Sequence, residues 1–278
     1  MILNCEIERF ISEDLGANDI SCTLVPEKEV SARIFTKEDC VVAGTEVAQK
    51  IMEYFGIQAN TKVVDGDEIK AGDAIFEVIG NSVSVLRAER LVLNFLGHLT
   101  GIATQTHKYV ETVRQYSDAK VAGTRKTTPG IRKFEKLAII AGGGDPHRFD
   151  LSGAIMIKDN HRNAMGLENA IEAARTMAGF TQKIDVEVET AEDAVTAARM
   201  GVDIIMFDNM SPGQVIRTLE ELKHEGVRDD VIIEVSGGIN LGNISEYAKT
   251  GVDVISVGSL VHKAEWTDVS LEFMDMVS

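Results

Sequence analysis

Apolar positions follow two patterns along the chain, and the change between them falls near residue 88. Before that point, short apolar runs are separated by the turn signals Asp65-Gly66-Asp67 and Ala71-Gly72-Asp73, which is typical of short strands. The runs predict strands at 30–35, 40–42, 62–64, 74–79 and 82–86, and helices at 6–15 and 46–55. We therefore expect a small antiparallel sheet with helices on one side.

From residue 88 to about residue 114 the spacing is helical, and short strands then alternate with helices. Runs such as Ile204-Ile205-Met206-Phe207 are typical of parallel strands buried on both faces. The predicted strands are 120–123, 154–157, 184–188, 204–207, 231–235 and 254–257, and the predicted helices are 132–141, 167–176, 191–200, 212–224 and 241–250. Six strands with helical crossovers predict an incomplete parallel α/β barrel, with an open doubly wound sheet as the alternative.

These patterns predict two domains in the 278 residues. Residues 1–114 are expected to form an α+β domain, and residues 115–263 the barrel. The tail, about 264–278, is expected to pack back on the first domain.

The net charge of −16 argues against nucleic acid and anionic lipid as partners. The segment 121–162 is different, because its eight basic and four acidic residues give it a charge of +4. Such a basic island indicates a site for a small anion. Arg132, Lys133 and Lys136 are predicted to be a solvated helix face within it.

The three cysteines, Cys5, Cys22 and Cys40, match no zinc spacing. We interpret them as free thiols of a cytoplasmic protein. The start of the chain shows no signal-peptide pattern, and no window of 18 residues is apolar throughout. The spacing of Gly97 and Gly101 is therefore not expected to be a membrane-dimer motif.

Polar or glycine-rich segments follow the predicted barrel strands. They are Thr124-Arg125-Lys126-Thr127, Lys158-Asp159-Asn160-His161, Glu187 with Glu189, Asp208-Asn209, Ser236-Gly237-Gly238 and Gly258-Ser259. Because the carboxyl ends of barrel strands meet at one mouth, these groups should surround a single cavity. The glycine-rich loop 141–146 delivers two further groups, His147 and Arg148, which follow it directly.

The residue types suit a substrate with several negative charges together with a metal pyrophosphate. Glycine-rich loops let backbone N–H groups approach phosphate, arginine binds carboxylates, and Glu187 and Asp208 can hold Mg²⁺ or ribose hydroxyls. Taken singly, the glycines could be simple turns, Asp208-Asn209 a helix cap, and His147 a structural loop histidine.

In series, these segments resemble the quinolinate phosphoribosyltransferase family, the carboxylating nicotinate-nucleotide pyrophosphorylases. The likeness covers nearly the whole chain in order. It is carried by Glu13-Asp14-Leu15-Gly16, Ala88-Glu89-Arg90, Asn94-Phe95-Leu96, Thr100-Gly101-Ile102-Ala103-Thr104, Thr124 to Gly130, Gly142 to Arg148, Ile157 to His161, Val186 to Glu189, Asp208-Asn209, Ser236 to Ile239 and Gly251 to Gly258. Gly123 and Pro146 depart from the family's usual Asp and Asn.

The resemblance implies an open-faced α/β sandwich with an incomplete barrel, in a homodimer or larger homo-oligomer that shares its active sites. It implies transfer of phosphoribosyl from phosphoribosyl pyrophosphate to quinolinate with decarboxylation, with Mg²⁺ and no organic cofactor. Five residues would bind quinolinate, the first of them reaching into the partner's site: Arg90, Arg125, His147, Arg148 and Lys158. Eight would hold phosphoribosyl pyrophosphate: Lys126, Glu187, Asp208, Ser236, Gly237, Gly238, Gly258 and Ser259. The catalytic candidates are Lys126, Lys158, Glu187 and Asp208, and the metal candidates are Glu187 and Asp208.

Three alternatives remain open at this stage. One is a related protein of molybdenum transport loci, which usually lacks part of the His-Arg and Lys-Asp-Asn-His segments that this chain keeps. The second is a barrel lyase with Lys158 as a Schiff-base lysine, which needs an apolar surrounding. The third is a non-enzymatic phosphate-binding or nucleotide-binding barrel.

Overall fold

The computed structural model describes residues 2–16 and 19–274. The chain divides into two compact units. The first comprises the described residues of Met1–His107, Leu137–Gly143 and Ala264–Ser278, and the second comprises Lys108–Lys136 and Gly144–Lys263.

The first unit is built on a four-stranded antiparallel sheet in the order β12-β1-β5-β3. Its strands are β1 (Glu29–Thr36), β3 (Gln58–Thr61), β5 (Ala74–Asn81) and β12 (Val269–Met274), and β2 (Cys40–Val41) pairs separately with β4 (Glu68–Ile69). The helices are α1 (Asn4–Leu15), α2 (Thr45–Tyr54) and the long α3 (Ser82–Arg114), which extends into the second unit. The core includes Ile34, Ile51, Phe76 and Leu96.

The second unit holds six parallel strands in the order β6-β11-β10-β9-β8-β7. They are β6 (Lys120–Ala122), β7 (Ile155–Ile157), β8 (Ile184–Val188), β9 (Ile204–Asp208), β10 (Ile232–Ser236) and β11 (Val254–Ser256). The last strand of this unit, β11, lies beside the first, β6, and the others follow in sequence. This is the strand order of a barrel opened between β6 and β7, so the incomplete barrel is confirmed and the doubly wound alternative is wrong.

A helix or helices follow each of these six strands along the chain. They are α4 (Arg132–Ala141), α5 (Asp159–Met165), α6 (Leu167–Met177), α7 (Ala191–Arg199), α8 (Pro212–His224), α9 (Ile244–Ala248) and α10 (Ser259–His262), with 3-10 turns at Ser21–Leu24 and Arg228–Asp230 in the chain as a whole. Alternation along β8 places Ile184, Val186 and Val188 on one face and Asp185 and Glu187 on the other. The face of β8 that carries Asp185 and Glu187 is the one with the polar groups described below.

One residue pairs with the free edge of β6 at the opening of the barrel. The N–H of Asp145 donates to the carbonyl of Val121 (2.8 Å), and the carbonyl of Asp145 accepts from the N–H of Gly123 (2.8 Å). The segment that leads to His147 and Arg148 is therefore attached to β6 at the position where a neighbouring strand would pair.

Two strand predictions were wrong. The segment 82–86 begins α3, because the side chain of Asn81 accepts the N–H of Val83 (2.9 Å) and starts the helix. The segment 62–64 is irregular, because the strand lies earlier, at Gln58–Thr61, where it pairs with β5. The strands β4 and β12 and the short helices α5 and α10 were not predicted.

The glycine pair on α3 serves packing within the first unit. A Cβ on Gly101 would lie 2.0 Å from the carbonyl oxygen of Glu265, and one on Gly97 would lie 2.9 Å from that of Thr267. The N–H of Thr267 also donates to the carbonyl of Gly97 (3.0 Å). Within the described residues, no helix has both the length and the apolar character that crossing a bilayer requires.

Candidate active site

Two carboxylates stand at the carboxyl ends of neighbouring strands. Glu187 is on β8 and Asp208 ends β9, and burial together with the charge of Glu187 raises the pKa of Asp208. Two carboxylates that lie close together repel each other, so a positive charge beside them is favoured.

Lys158 supplies part of that charge. Its Nζ lies 2.5 Å from Oε2 of Glu187, with the lysine side chain 44% exposed and the glutamate side chain 12% exposed. Lys158 is also the N-cap residue of α5, and its N–H donates to Nδ1 of His161 in the first turn of that helix (3.0 Å). A lysine paired with a carboxylate does not have the apolar surrounding that a Schiff-base lysine needs, which argues against the lyase alternative.

The loop after β10 packs closely against the loop after β9. Gly237 has a φ of +98°, and a Cβ there would lie 2.2 Å from Oδ1 of Asn209. Asn209 itself has a positive φ of +54°, and its Nδ2 donates to Oδ2 of Asp208 (2.6 Å). Positive φ at a residue other than glycine is uncommon and marks backbone held by its surroundings.

Lys126 lies against the loop after β11. A Cβ on Gly258 would lie 3.0 Å from Cδ of Lys126 and 3.7 Å from Cε1 of His262. Ser259 begins α10, and its hydroxyl lies 3.3 Å from that of Tyr109. His262 was not among the predicted site residues, although its position four residues after Gly258 was a signal that it lies beside this loop.

The remaining predicted cations come from two loops. Arg125 is exposed in the loop after β6, and its charge is close enough to Arg148 to contribute, after burial, to a lowered pKa of that guanidinium. Arg148 donates to the carbonyl of Ala154 (3.1 Å) and to Sδ of Met156 (3.3 Å), which places it along β7. Two neighbouring arginines that repel each other suit a ligand with two carboxylates.

The first turns of α4 were predicted to be a solvated face, and this was wrong. Lys136 is fully buried, its Nζ donates to the carbonyl of Pro146, and burial lowers its pKa to about 8. Glu135 is equally buried and accepts the N–H of Thr128 (2.8 Å), while Nε of Arg132 donates to Oγ1 of Thr127 (2.9 Å). The helix therefore fastens both loops that carry the cations.

Glu187 and Asp208 are chemically suited to Mg²⁺. Both are carboxylates at the ends of neighbouring strands, and a cation beside Asp208 would offset the burial and the charge of Glu187 that raise its pKa. Two carboxylates fall short of an octahedral set, so water and oxygens of a bound pyrophosphate would complete it.

Arg90 lies on the exposed side of α3 in the first unit. Its reach into a partner's site stays a prediction, and so do the roles given above to each of the site residues. His147, which ends the glycine-rich loop, points to the interior of the barrel, where its Nε2 lies 3.3 Å from Oε2 of Glu234.

Comparison with known proteins accounts for almost the whole chain. The model of the C-terminal domain of quinolinate phosphoribosyl transferase matches residues 102–272, and that of the N-terminal domain matches residues 19–100. A Methanothermobacter thermautotrophicus protein named "probable nicotinate-nucleotide pyrophosphorylase (carboxylating)" is 43% identical over 270 residues, covering 96% of this chain and 97% of its own length.

Two further relatives agree with this. The human nicotinate-nucleotide pyrophosphorylase (carboxylating) is 35% identical over 268 residues, covering 96% of this chain and 90% of its own length. The crystal structure of NadC from Streptococcus pyogenes superposes with a TM-score of 0.90 at 39% identity, covering 98% of this chain and 97% of that one. The two family models and these full-length similarities show that the chain belongs to the quinolinate phosphoribosyl transferase family.

Proposed function

We propose that this chain transfers phosphoribosyl from phosphoribosyl pyrophosphate to quinolinate and releases pyrophosphate and carbon dioxide. The product is nicotinate mononucleotide, and the reaction is a step of NAD biosynthesis catalysed by a pentosyltransferase. The observation that carries the proposal is the group formed by Lys158, Glu187 and Asp208, with glycine loops on the following strands, in a chain of this family.

In the first stage, pyrophosphate leaves C1 of the ribose as the quinolinate nitrogen forms its bond there. Positive charge builds on the ribose, and the carboxylates of Glu187 and Asp208 stabilise it. Backbone N–H groups of the loops at Gly237 and Gly258, together with the ammonium of Lys126, stabilise the departing phosphates. No covalent nucleophile is required, so positioning and electrostatics supply the acceleration.

In the second stage, the ring nitrogen carries positive charge and draws electrons from the neighbouring carbon. The carboxylate at position 2 leaves as carbon dioxide, the electron pair stays on the ring carbon, and a proton replaces the lost group. Arg125 and Arg148 bind the carboxylates, which keeps the ring oriented while one of them departs.

Mg²⁺ bound with phosphoribosyl pyrophosphate would neutralise the charge of the leaving pyrophosphate, and Glu187 and Asp208 are the residues that would hold it, directly or through water. We also propose a homodimer in which Arg90 of one subunit contributes to the partner's site.

The test is a direct assay. The purified protein is incubated with quinolinate, phosphoribosyl pyrophosphate and Mg²⁺, and nicotinate mononucleotide is sought by mass spectrometry. We expect product only when all three are present. Absence of product under conditions where the protein is folded and binds both substrates would refute the proposal.

A further inference from the structure

A group of buried polar side chains lies inside the barrel, near the candidate site. Asp185, Glu234 and Ser256, on β8, β10 and β11, are between 1% and 2% exposed. The hydroxyl of Ser256 donates to Oε1 of Glu234, and Nε2 of His147 lies 3.3 Å from Oε2 of the same carboxylate. Buried carboxylates are costly unless they have partners, so this arrangement requires an explanation.

The ligand types of His147, Asp185 and Glu234 could hold a metal ion, since their oxygen and nitrogen atoms lie within 4.8 Å of one another. The hydrogen bonding of the imidazole argues against this. The backbone N–H of Arg148 donates to Nδ1 of His147 (2.7 Å). Nδ1 therefore has no hydrogen, the neutral ring carries its hydrogen on Nε2, and Nε2 is a donor to Glu234 and not a metal ligand.

The same contacts fix the backbone that leads to Arg148. His147 has a φ of +54°, a conformation that costs energy in a residue with a side chain. It is kept there by Asp145, whose Oδ1 accepts the N–H of His147 (2.7 Å), by Lys136 on the carbonyl of Pro146, and by the ring itself. The carboxylate of Glu234 anchors the ring, and the ring anchors the N–H of Arg148.

We infer that Glu234 is a positioning residue, which acts through His147 to hold Arg148 where it binds the carboxylates of the pyridine substrate. The inference rests on the proposed function. It assigns to Glu234 the role of hydrogen-bond acceptor and not of metal ligand. Ser256 supports it, because its hydroxyl fixes the other oxygen of the carboxylate.

The test compares two substitutions of similar size. Glu234→Met cannot accept a hydrogen bond from Nε2, whereas Glu234→Gln can accept through its amide oxygen. We expect Glu234→Met to raise the KM for quinolinate about tenfold to a hundredfold, with the KM for phosphoribosyl pyrophosphate within about twofold of its original value. Glu234→Gln should restore most of the affinity for quinolinate. Ser256→Ala, which keeps the acceptor, should have a smaller effect in the same direction.

A double-mutant cycle shows whether the effect passes through His147. If it does, Glu234→Met added to His147→Ala should change the kinetics little beyond His147→Ala alone. Glu220→Gln, an exposed change on α8, serves as the matched control, and the melting temperature of each variant is measured alongside.

Several outcomes would overturn the inference. They are a Glu234→Met enzyme with an unchanged KM for quinolinate, equal losses for both substrates, a Glu234→Gln enzyme as poor as Glu234→Met, full additivity with His147→Ala, or one equivalent of a transition metal that is lost with Glu234. An original protein that makes no nicotinate mononucleotide would instead refute the proposed function, so the two failures are distinguishable.

Discussion

Replacing Lys158 by methionine tests the centre of the site, because it removes the positive charge and keeps the length of the side chain. The ammonium lies 2.5 Å from Oε2 of Glu187, and its charge also lowers the pKa of Asp208, against the raising effects of burial and Glu187. The change therefore removes the cation that offsets the charge of both neighbouring acids.

The cost to the reaction should far exceed the cost to folding. Losing one strong, preorganised electrostatic contact raises the barrier by about 3 kcal/mol, roughly a hundredfold in rate. The lysine side chain is 44% exposed, and an ion pair in such a position contributes at most about 1 kcal/mol to stability. We therefore expect kcat/KM to fall at least about a hundredfold while the melting temperature falls by no more than about 4 °C.

The assay is steady-state formation of nicotinate mononucleotide across a pH series, with the melting temperature followed by circular dichroism. Without Lys158 the pKa of Asp208 should rise further, so the acidic limb of the rate profile should move to higher pH. Lys183→Met, at an exposed lysine just before β8, is the matched control. A Lys158→Met enzyme with near-original kcat/KM would refute the role given to this lysine.

Three further predictions concern particular contacts. Gly237→Ala places a Cβ against Asn209 at a φ of +98° and adds backbone strain of about 1–2 kcal/mol, so the KM for phosphoribosyl pyrophosphate should rise about tenfold. The control is Gly72→Ala, at a φ of +94° with open space around the added Cβ, which should leave this KM unchanged. Equal KM values for the two variants would contradict the packing argument. The pKa of Lys136 is about 8 in the folded protein and 10.5 ordinarily, so between these pH values the unfolded chain binds a proton that the folded protein does not. The free energy of unfolding should therefore rise with pH by up to about 3 kcal/mol relative to Lys136→Met. Urea unfolding of both proteins at about pH 7.5 and about pH 10 measures this, and an equal change of unfolding free energy with pH in the two would disprove it. Gly101→Ala, with its Cβ 2.0 Å from the carbonyl oxygen of Glu265, should lower the free energy of unfolding by about 1–3 kcal/mol, and a urea midpoint equal to the original would show that the tail does not need this glycine.

Much of the fold was predictable because its patterns are local. The strand Ile184–Val188 and the helices Arg132–Ala141 and Pro212–His224 follow from apolar runs and helical spacing. The segment 82–86 shows where this fails. Its alternating Ser and Val residues favour a strand, but the segment is the first turn of the long helix α3 and is capped by Asn81.

The residue types of the site were predictable, but the burial of the side chains around it was not. Glycine, lysine and acid positions at strand ends could be read from the segmentation, because the carboxyl ends of parallel strands meet. The burial of Lys136, Asp185 and Glu234 could not, since it depends on neighbours distant in sequence. For Asp185 a signal existed, because strand alternation places it on the same face as Glu187.

The opening between β6 and β7 leaves two strand edges, and the unpaired edge of a strand can pair with a strand of another chain and cause aggregation. Among the described residues, β7 pairs with β8 alone and is only three residues long, so little ladder is available for aggregation. On the other side, the main-chain bonds of Asp145 cover β6. The same two bonds therefore have a double effect, because they cover a sheet edge and also fix the start of the segment that carries His147 and Arg148.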